Sequence, residues 1–224
     1  MLLIKRDSKN KHNYITVKGI GLSVHKLVPF YNAKKGGDML NTVEPIRDRT
    51  LVLDIADYLK EKRDRDYVLF MTGIYCGRRI SDILPLKIRD IRNADYIDIR
   101  EEKTGKEARV LINDELKKIY KEYCKGKRDY EYVFRRSKGK NEPITRQRVW
   151  QILNEAADFF EYKDKIGCHT LRKTFGYWLY KDTGDVVAIK ELLNQSDISV
   201  TKRYIGVTQD SKDEMVRNLT FKKK

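Results

Sequence analysis

The chain has 224 residues, of which 48 are Lys or Arg and 33 are Asp or Glu, so its formal net charge is +15. This length suits one large or two small domains, and the 40% hydrophobic fraction argues against wholesale disorder. The positive charge favours a polyanionic partner, and no apolar run is long enough to span a membrane.

The cysteines, the histidines and the first residues exclude three further classes of protein. Cys76, Cys124 and Cys168 are odd in number and far apart, which is typical of reduced cytosolic thiols and not of a disulfide framework. The histidines lack the spacing of metal ligands, and the first six residues become polar too early for a signal peptide. We therefore expect a cytoplasmic protein that needs no cofactor and contacts no membrane.

Residues 1–44 differ from the rest of the chain in charge and in pattern. Their basic residues outnumber their acidic ones, and two short stretches, Tyr14–Val17 and Leu22–Val24, are β-like. So short a segment gives no dependable core. We expect either a basic arm or incomplete unit, or a flexible solubilising tail.

The sequence from Thr50 onward is mostly helical in pattern, because apolar residues recur every three to four positions. Thr145 and Asp185 precede two apolar stripes and are the expected N-caps of those helices. The first predicted helix has Leu51, Ile55, Tyr58 and Leu59 on one face, and further helices are predicted over 66–76, 80–86 and 113–124. Three more helices are predicted from their apolar stripes. These stripes are formed by Val149, Ile152, Leu153, Ala156 and Phe160, by Leu171, Phe175, Trp178 and Leu179, and by Ile189, Leu192 and Leu193.

One hairpin interrupts the helices. Tyr96–Arg100 and Ala108–Ile112 alternate like strands, and the residues 103–106 between them form a turn, so an antiparallel pair is predicted. Tyr132–Phe134 is a candidate for a further short strand. The expected fold class is mainly α with a small antiparallel β-hairpin, an α+β fold.

A basic helical domain of this kind directs attention to residues that transfer a phosphoryl group on DNA. The carboxylates are scattered, and no P-loop, GxSxG or HExxH motif is present. Transfer without metal or ATP requires arginines on the phosphate oxygens, a nucleophile, and a cationic acid for the leaving oxygen.

Three segments carry such residues in order. Cys76–Leu86 resembles the TGLRISELLxL box of the tyrosine recombinases (phage integrase family). Gly167–Phe175 resembles their HxLRHTF box, and Leu192–Tyr204 resembles their LLGHSSIxxTxxY box. The turn over residues 103–106, Lys-Thr-Gly-Lys, falls where the family has its KTGK turn. The resemblance covers about residues 45–210.

The resemblance implies the family's catalytic-domain fold and its reaction on double-stranded DNA. A tyrosine oxygen attacks a DNA phosphate and expels the 5′-hydroxyl, which leaves a 3′-phosphotyrosyl link until another 5′-hydroxyl attacks. Two arginines clamp the phosphate, a lysine protonates the leaving oxygen, and a histidine acts as phosphate donor or base. The catalytic residues implied are Arg79, Lys103, His169, Arg172, Gln195 and Tyr204.

Several neighbours of these residues receive other interpretations. Arg78, beside Arg79, is expected to be a surface residue or a backbone-phosphate contact. Asp82 is expected to buttress the arginines. Trp150 and Trp178 lie on helical stripes and are expected to belong to the core.

The sequence departs from the family's pattern at two places. Gln195 stands where the family has His or sometimes Trp; its amide can donate an N–H to phosphate but cannot be cationic. We expect a weakened but working enzyme, with a DNA-binding regulator descended from one, or a type IB topoisomerase-like enzyme, as alternatives. Residues 1–44 are too few for the family's N-terminal helical domain, which indicates a minimal recombinase, as in the fimbrial invertases, or a fragment of a longer integrase.

The expected organisation is an arm over 1–44, a catalytic domain over 45–210 and a tail over 211–224. In the tail, Met215, Val216 and Leu219 would form a small apolar face on a helix. That face either packs into a neighbouring protomer or folds back on its own domain. We expect a monomer in solution and a tetramer on paired DNA sites.

Overall fold

A computed structural model describes the backbone of residues 2–6, 13–17, 26–27, 43–164, 166–205 and 216–217, and the side chains of 43–164, 166–202 and 216–217. Within these residues the chain is mostly helical, with two small antiparallel sheets. The elements are β1 (Leu2–Arg6), β2 (Asn13–Val17), β3 (Lys26–Leu27), α1 (Arg49–Lys62), α2 (Asp64–Cys76), α3 (Ile80–Ile83), α4 (Ile88–Ile91), β4 (Tyr96–Arg100), β5 (Glu107–Leu111), α5 (Asp114–Tyr123), α6 (Arg146–Phe159), α7 (Cys168–Thr183), α8 (Val186–Leu192) and α9 (Ile198–Ile205).

The first sheet lies in the basic N-terminal segment. β2 pairs antiparallel with both β1 and β3, so the strand order is β1-β2-β3. The predicted stretch Tyr14–Val17 falls within β2. The other, Leu22–Val24, lies outside the described residues.

The second sheet is the predicted hairpin. β4 and β5 pair from Tyr96 opposite Leu111 to Arg100 opposite Glu107. Ile97 and Ile99 point inward and are buried, as the alternation of a strand requires.

The helix boundaries follow from side-chain caps. Thr145 accepts the backbone N–H of Arg148 at 3.2 Å, and Asp185 accepts two N–H groups at the start of α8. Each bond satisfies an amide that has no partner within its helix. Both predicted N-caps are confirmed.

One main core holds the helices together. α2 packs against α1, α5 and α7, and its side chains from Val68 to Met71 are buried. The inward side chains of the hairpin and of α6 join the same core. A smaller cluster forms where Ile189 and Leu193 pack against Phe175 and Leu179, which fixes the C-terminal end of α8 against α7.

Several local predictions were wrong. The helix over 80–86 ends at Ile83 because Pro85 has no N–H to continue it. Tyr132–Phe134 forms only an isolated bridge to Lys87. Trp150 is 52% exposed, since it lies about 100° around α6 from Val149 and so outside the buried stripe. Leu192 is also exposed.

The predicted tail helix lies outside the described residues, apart from Val216 and Arg217, which are helical and exposed. Among the described residues, no helix has the length and apolarity needed to cross a membrane.

Candidate active site

Several separate parts of the chain converge on one cleft of about 800 Å³. They are the α2–α3 loop, the β4–β5 turn, the starts of α6 and α7, and the α8–α9 connection. Cations outnumber carboxylates in this lining, so the region, called the basic cleft below, suits an anionic ligand. Its titratable lining residues are Arg79, Glu102, Lys103, Lys106, Arg146, Cys168, His169 and Asp197.

Arg79 reaches the basic cleft from the end of the loop that follows α2. Its Nη1 donates to Glu101 Oε2 at 2.7 Å and lies 3.7 Å from Asp82 Oδ2. The side chain keeps 19% of its surface exposed, whereas both carboxylates are buried. Two buried carboxylates thus aim a cleft-lining guanidinium, which is the arrangement expected of Asp82 as a buttress.

Lys103 lies in the turn between β4 and β5 and is exposed at the edge of the basic cleft. The turn is closed by the Gly105 N–H on Glu101 O at 2.8 Å, and Gly105 has φ +68. Glycine adopts this left-handed conformation without steric cost. Lys103 therefore sits on a short, hydrogen-bonded turn that faces the same space as Arg79.

His169 enters the basic cleft from the first turn of α7 and is half-buried. Burial lowers the pKa of His169, and the positive charges of Arg146, Arg172, Arg79 and Lys173 lower it further. The imidazole is therefore neutral at neutral pH and able to accept a proton.

Arg172 lies one turn further along α7, behind the basic cleft. It is 1% exposed; its Nη1 donates to Gly77 O at 3.1 Å and its Nη2 to Leu193 O at 2.5 Å. Its guanidinium therefore bonds one backbone carbonyl just after α2 and another just after α8. These bonds use two of the five N–H donors of a guanidinium, so contact with a phosphate need not break either of them.

Gln195 lines the basic cleft from the α8–α9 connection. Its Oε1 accepts a hydrogen bond from the hydroxyl of the buried Thr201 at 2.6 Å. Because this bond fixes the oxygen, the Nε2 end of the amide is the end that can donate to a ligand. Tyr204 belongs to α9, one turn after Thr201, and its side chain lies outside the described residues.

Arg146, at the start of α6, also lines the basic cleft and was missed from the sequence. It lies in the first turn of a helix, where the macrodipole disfavours a cation, and that turn has no acidic residue. An arginine at this unfavourable position, next to the predicted cap Thr145, was the sequence signal that could have indicated a functional residue. Its charge lowers the pKa of Cys168, although burial raises that pKa overall.

Arg78 is buried and was wrongly expected at the surface. Its Nη1 donates to Glu101 Oε1 at 3.2 Å and its Nη2 to Leu192 O at 2.5 Å. Glu101 was also missed, although it continues the inward alternation of Ile97 and Ile99 by two residues. Arg78 and Glu101 therefore form a buried ion pair behind the cleft-lining Arg79.

Within the described residues, no group of three or more His, Cys, Asp or Glu side chains is arranged to hold a metal ion.

The model of the phage integrase family matches residues 48–210. The chain belongs to this family. The Bacillus subtilis (strain 168) protein named "Probable integrase/recombinase YoeC" is 42% identical over 172 residues, which cover 77% of this chain and 94% of that one. The tyrosine recombinase XerA of Pyrococcus furiosus is 33% identical over 161 residues, 69% of this chain and 54% of that one.

Solved structures of the family share the fold. A crystal structure of XerA recombinase superposes with a TM-score of 0.64 and 18% identity, covering 80% of this chain and 67% of that chain. A lambda integrase dimer bound to a core site gives a TM-score of 0.58 at 17% identity, covering 75% and 61%. The expected fold class, mainly helical with a small antiparallel hairpin, is confirmed.

Proposed function

We propose that this chain is a site-specific DNA recombinase or integrase that breaks and rejoins DNA through a 3′-phosphotyrosyl intermediate, without metal or ATP. The observation that carries the proposal is the convergence of Arg79, Lys103, His169 and Gln195, from separate segments, on one basic cleft. Relatives and structural neighbours with the same fold are named as recombinases and integrases, some of them bound to DNA.

Each side chain has a physical reason for its role. Tyr204 Oη attacks the phosphorus, and the bond from phosphorus to the 5′ oxygen breaks. Arg79 and Arg172 bind the non-bridging oxygens, because planar guanidinium groups match them. Lys103 gives its proton to the departing 5′ oxygen. Neutral His169 either accepts the phenolic proton or donates to the phosphate.

Gln195 takes the place of the family's histidine as an uncharged donor. Its Oε1 is held by Thr201, so the Nε2 amide is oriented to donate to a phosphate oxygen. We expect this substitution to lower the rate of cleavage without abolishing it. A DNA-binding regulator would bind DNA and form no covalent adduct.

Double-stranded DNA is the proposed partner, and the chain assembles as a tetramer only on paired sites. The proposed organisation is an arm over 1–44, a catalytic domain over 45–210 and a tail over 211–224. Three free thiols, two of them buried, support a reducing, cytoplasmic location. Sedimentation with and without paired sites tests the assembly, and tetramers in the absence of DNA would contradict it.

The decisive experiment is covalent trapping. The full chain is incubated in EDTA with a cognate duplex that carries a nick next to the cleavage site, so that the cleaved end diffuses away. We expect a covalent protein–DNA adduct that Tyr204→Phe abolishes. Tyr130→Phe is the matched control and should form the adduct normally. It removes the hydroxyl of an exposed tyrosine that accepts a hydrogen bond from Arg128. An adduct that survives Tyr204→Phe would refute the assignment of the nucleophile.

A further inference from the structure

Glu101 lies at the junction of the segments that form the basic cleft. Its side chain has no solvent exposure, and it follows β4 directly. It accepts hydrogen bonds from Arg78 Nη1 at 3.2 Å, Arg79 Nη1 at 2.7 Å and Thr104 Oγ1 at 2.7 Å. One buried carboxylate thus joins the α2–α3 loop to the turn that carries Lys103.

The same carboxylate reaches a third segment through Arg78. While Nη1 of Arg78 is held by Glu101, its Nη2 donates to Leu192 O at the end of α8. The next residues form the connection that contains Gln195 and leads into α9. Glu101 and Arg78 therefore form a continuous chain of hydrogen bonds from the hairpin turn to the segment that precedes Tyr204.

The charges around Glu101 require it to stay ionised. Burial alone would raise the pKa of Glu101, but hydrogen bonds from Arg79 and Thr104 and the charges of Arg79 and Arg172 outweigh burial, so the pKa lies below its usual value. A buried carboxylate among several guanidinium groups neutralises cations that would otherwise repel one another. No other carboxylate among the described residues contacts both Arg78 and Arg79.

We propose that Glu101 is a positioning residue that holds Arg79, the Lys103 turn and the α8–α9 connection in one arrangement for the reaction. This inference rests on the proposed function. Glu101 touches no reacting atom; it acts by fixing the direction of the phosphate-binding guanidinium and the location of the general acid. Its two carboxylate oxygens serve different partners, with Arg78 on Oε1 and with Arg79 and Thr104 on Oε2.

The test compares the full wild-type chain with Glu101→Gln and with Glu107→Gln. Glutamine keeps the size of residue 101 but removes the charge and one acceptor. Glu107 is exposed in β5 of the same hairpin, so its variant is the control for an equal charge change. Each protein is measured for duplex affinity, single-turnover adduct formation, and hydrogen–deuterium exchange over residues 103–106 and 192–196.

We expect Glu101→Gln to slow adduct formation about tenfold or more, the effect of one lost hydrogen bond to a charged group, with affinity changed less than about twofold. A substrate with sulfur at the 5′-bridging position needs no proton on its leaving group. On it the loss should be several times smaller, because misplacement of Lys103 no longer matters. Exchange should rise in both segments and not across the core.

Three results would overturn the inference. The first is an unchanged rate of adduct formation and an unchanged hydrogen–deuterium exchange pattern in Glu101→Gln. The second is an equal effect of Glu107→Gln, and the third is an equal loss of rate on both substrates with faster exchange throughout the chain. If the wild type forms no adduct, the proposed function fails, and unchanged exchange in Glu101→Gln still refutes the linkage separately. If Glu101→Gln does not fold, Thr104→Val removes a single exposed partner of Glu101. Thr104→Val should form the adduct more slowly on the normal substrate, and the rate should be restored on the sulfur substrate. If the rate is not restored there, the proposal is refuted.

Discussion

Gly77 ends α2 and is the position where an added methyl group should damage the site most. Its φ is +60, and an added Cβ would lie 2.2 Å from Phe175 Cδ1 and 2.6 Å from Cε1. Its carbonyl also accepts Arg172 Nη1. Gly77→Ala therefore combines a disfavoured backbone conformation with a steric clash against an aromatic ring of α7.

The expected loss of stability follows from these two terms. A left-handed conformation costs about 1–2 kcal/mol for a residue with a Cβ, and overpacking costs about 1–3 kcal/mol. The reduced entropy of the unfolded chain returns about 0.4–1 kcal/mol. We expect Gly77→Ala to lower the free energy of unfolding by about 1–5 kcal/mol.

Gly126 supplies the matched control, since its φ is +70 and an added Cβ would meet no atom within 4 Å. Gly126→Ala should therefore show the conformational term alone, about 1 kcal/mol. Equilibrium unfolding in urea, followed by circular dichroism, measures both variants. If the two alanine variants agree within about 0.5 kcal/mol, Phe175 does not confine the loop and the reasoning is wrong.

Two further predictions concern charge in the basic cleft. Arg146→Ala should reduce the slope of log affinity against log salt by about one, as expected for one lost phosphate contact. Lys118→Ala, on the exposed face of α5, is the control and should leave the slope unchanged. Equal slopes in the wild type and both variants would exclude Arg146 from DNA binding. Because the pKa of His169 lies below its unfolded value, the unfolded chain binds the proton more readily and stability falls as the pH drops below about 6.5. Between about pH 7 and pH 5, His169→Gln should therefore lose less Tm than the wild type, and equal losses would contradict the lowered pKa.

Features with a short-range physical cause were predictable from the sequence. Thr145 and Asp185 cap helices because their side chains bond to amides two or three residues away. The hairpin was predictable because its strands alternate and its turn contains glycine. Of the residues that the resemblance implied, Arg79, Lys103, His169 and Gln195 line the basic cleft, whereas Arg172 lies behind it.

Features that depend on tertiary partners were not predictable from local pattern. Arg78 and Arg79 are neighbours with the same chemistry, yet one is 5% exposed and internal while the other lines the basic cleft. Arg78 is held in the interior by Glu101 and by Leu192 O, which lies 114 residues away from it in sequence. Glu101 gave a weak signal through strand alternation, but a buried carboxylate is understandable only once its three donors are known.

The buried arginines also join the three sequence boxes in the folded chain. Arg78, from the first box, donates to Leu192 O, and Arg172, from the second, donates to Leu193 O. Both carbonyls lie at the C-terminal end of α8, where orphan acceptors and the negative end of the helix dipole favour cations. Two guanidinium groups thus fix the start of the connection that carries Gln195 and leads to Tyr204. Arg172 also holds Gly77 O, so one buried guanidinium joins the α2–α3 loop to the α8–α9 connection.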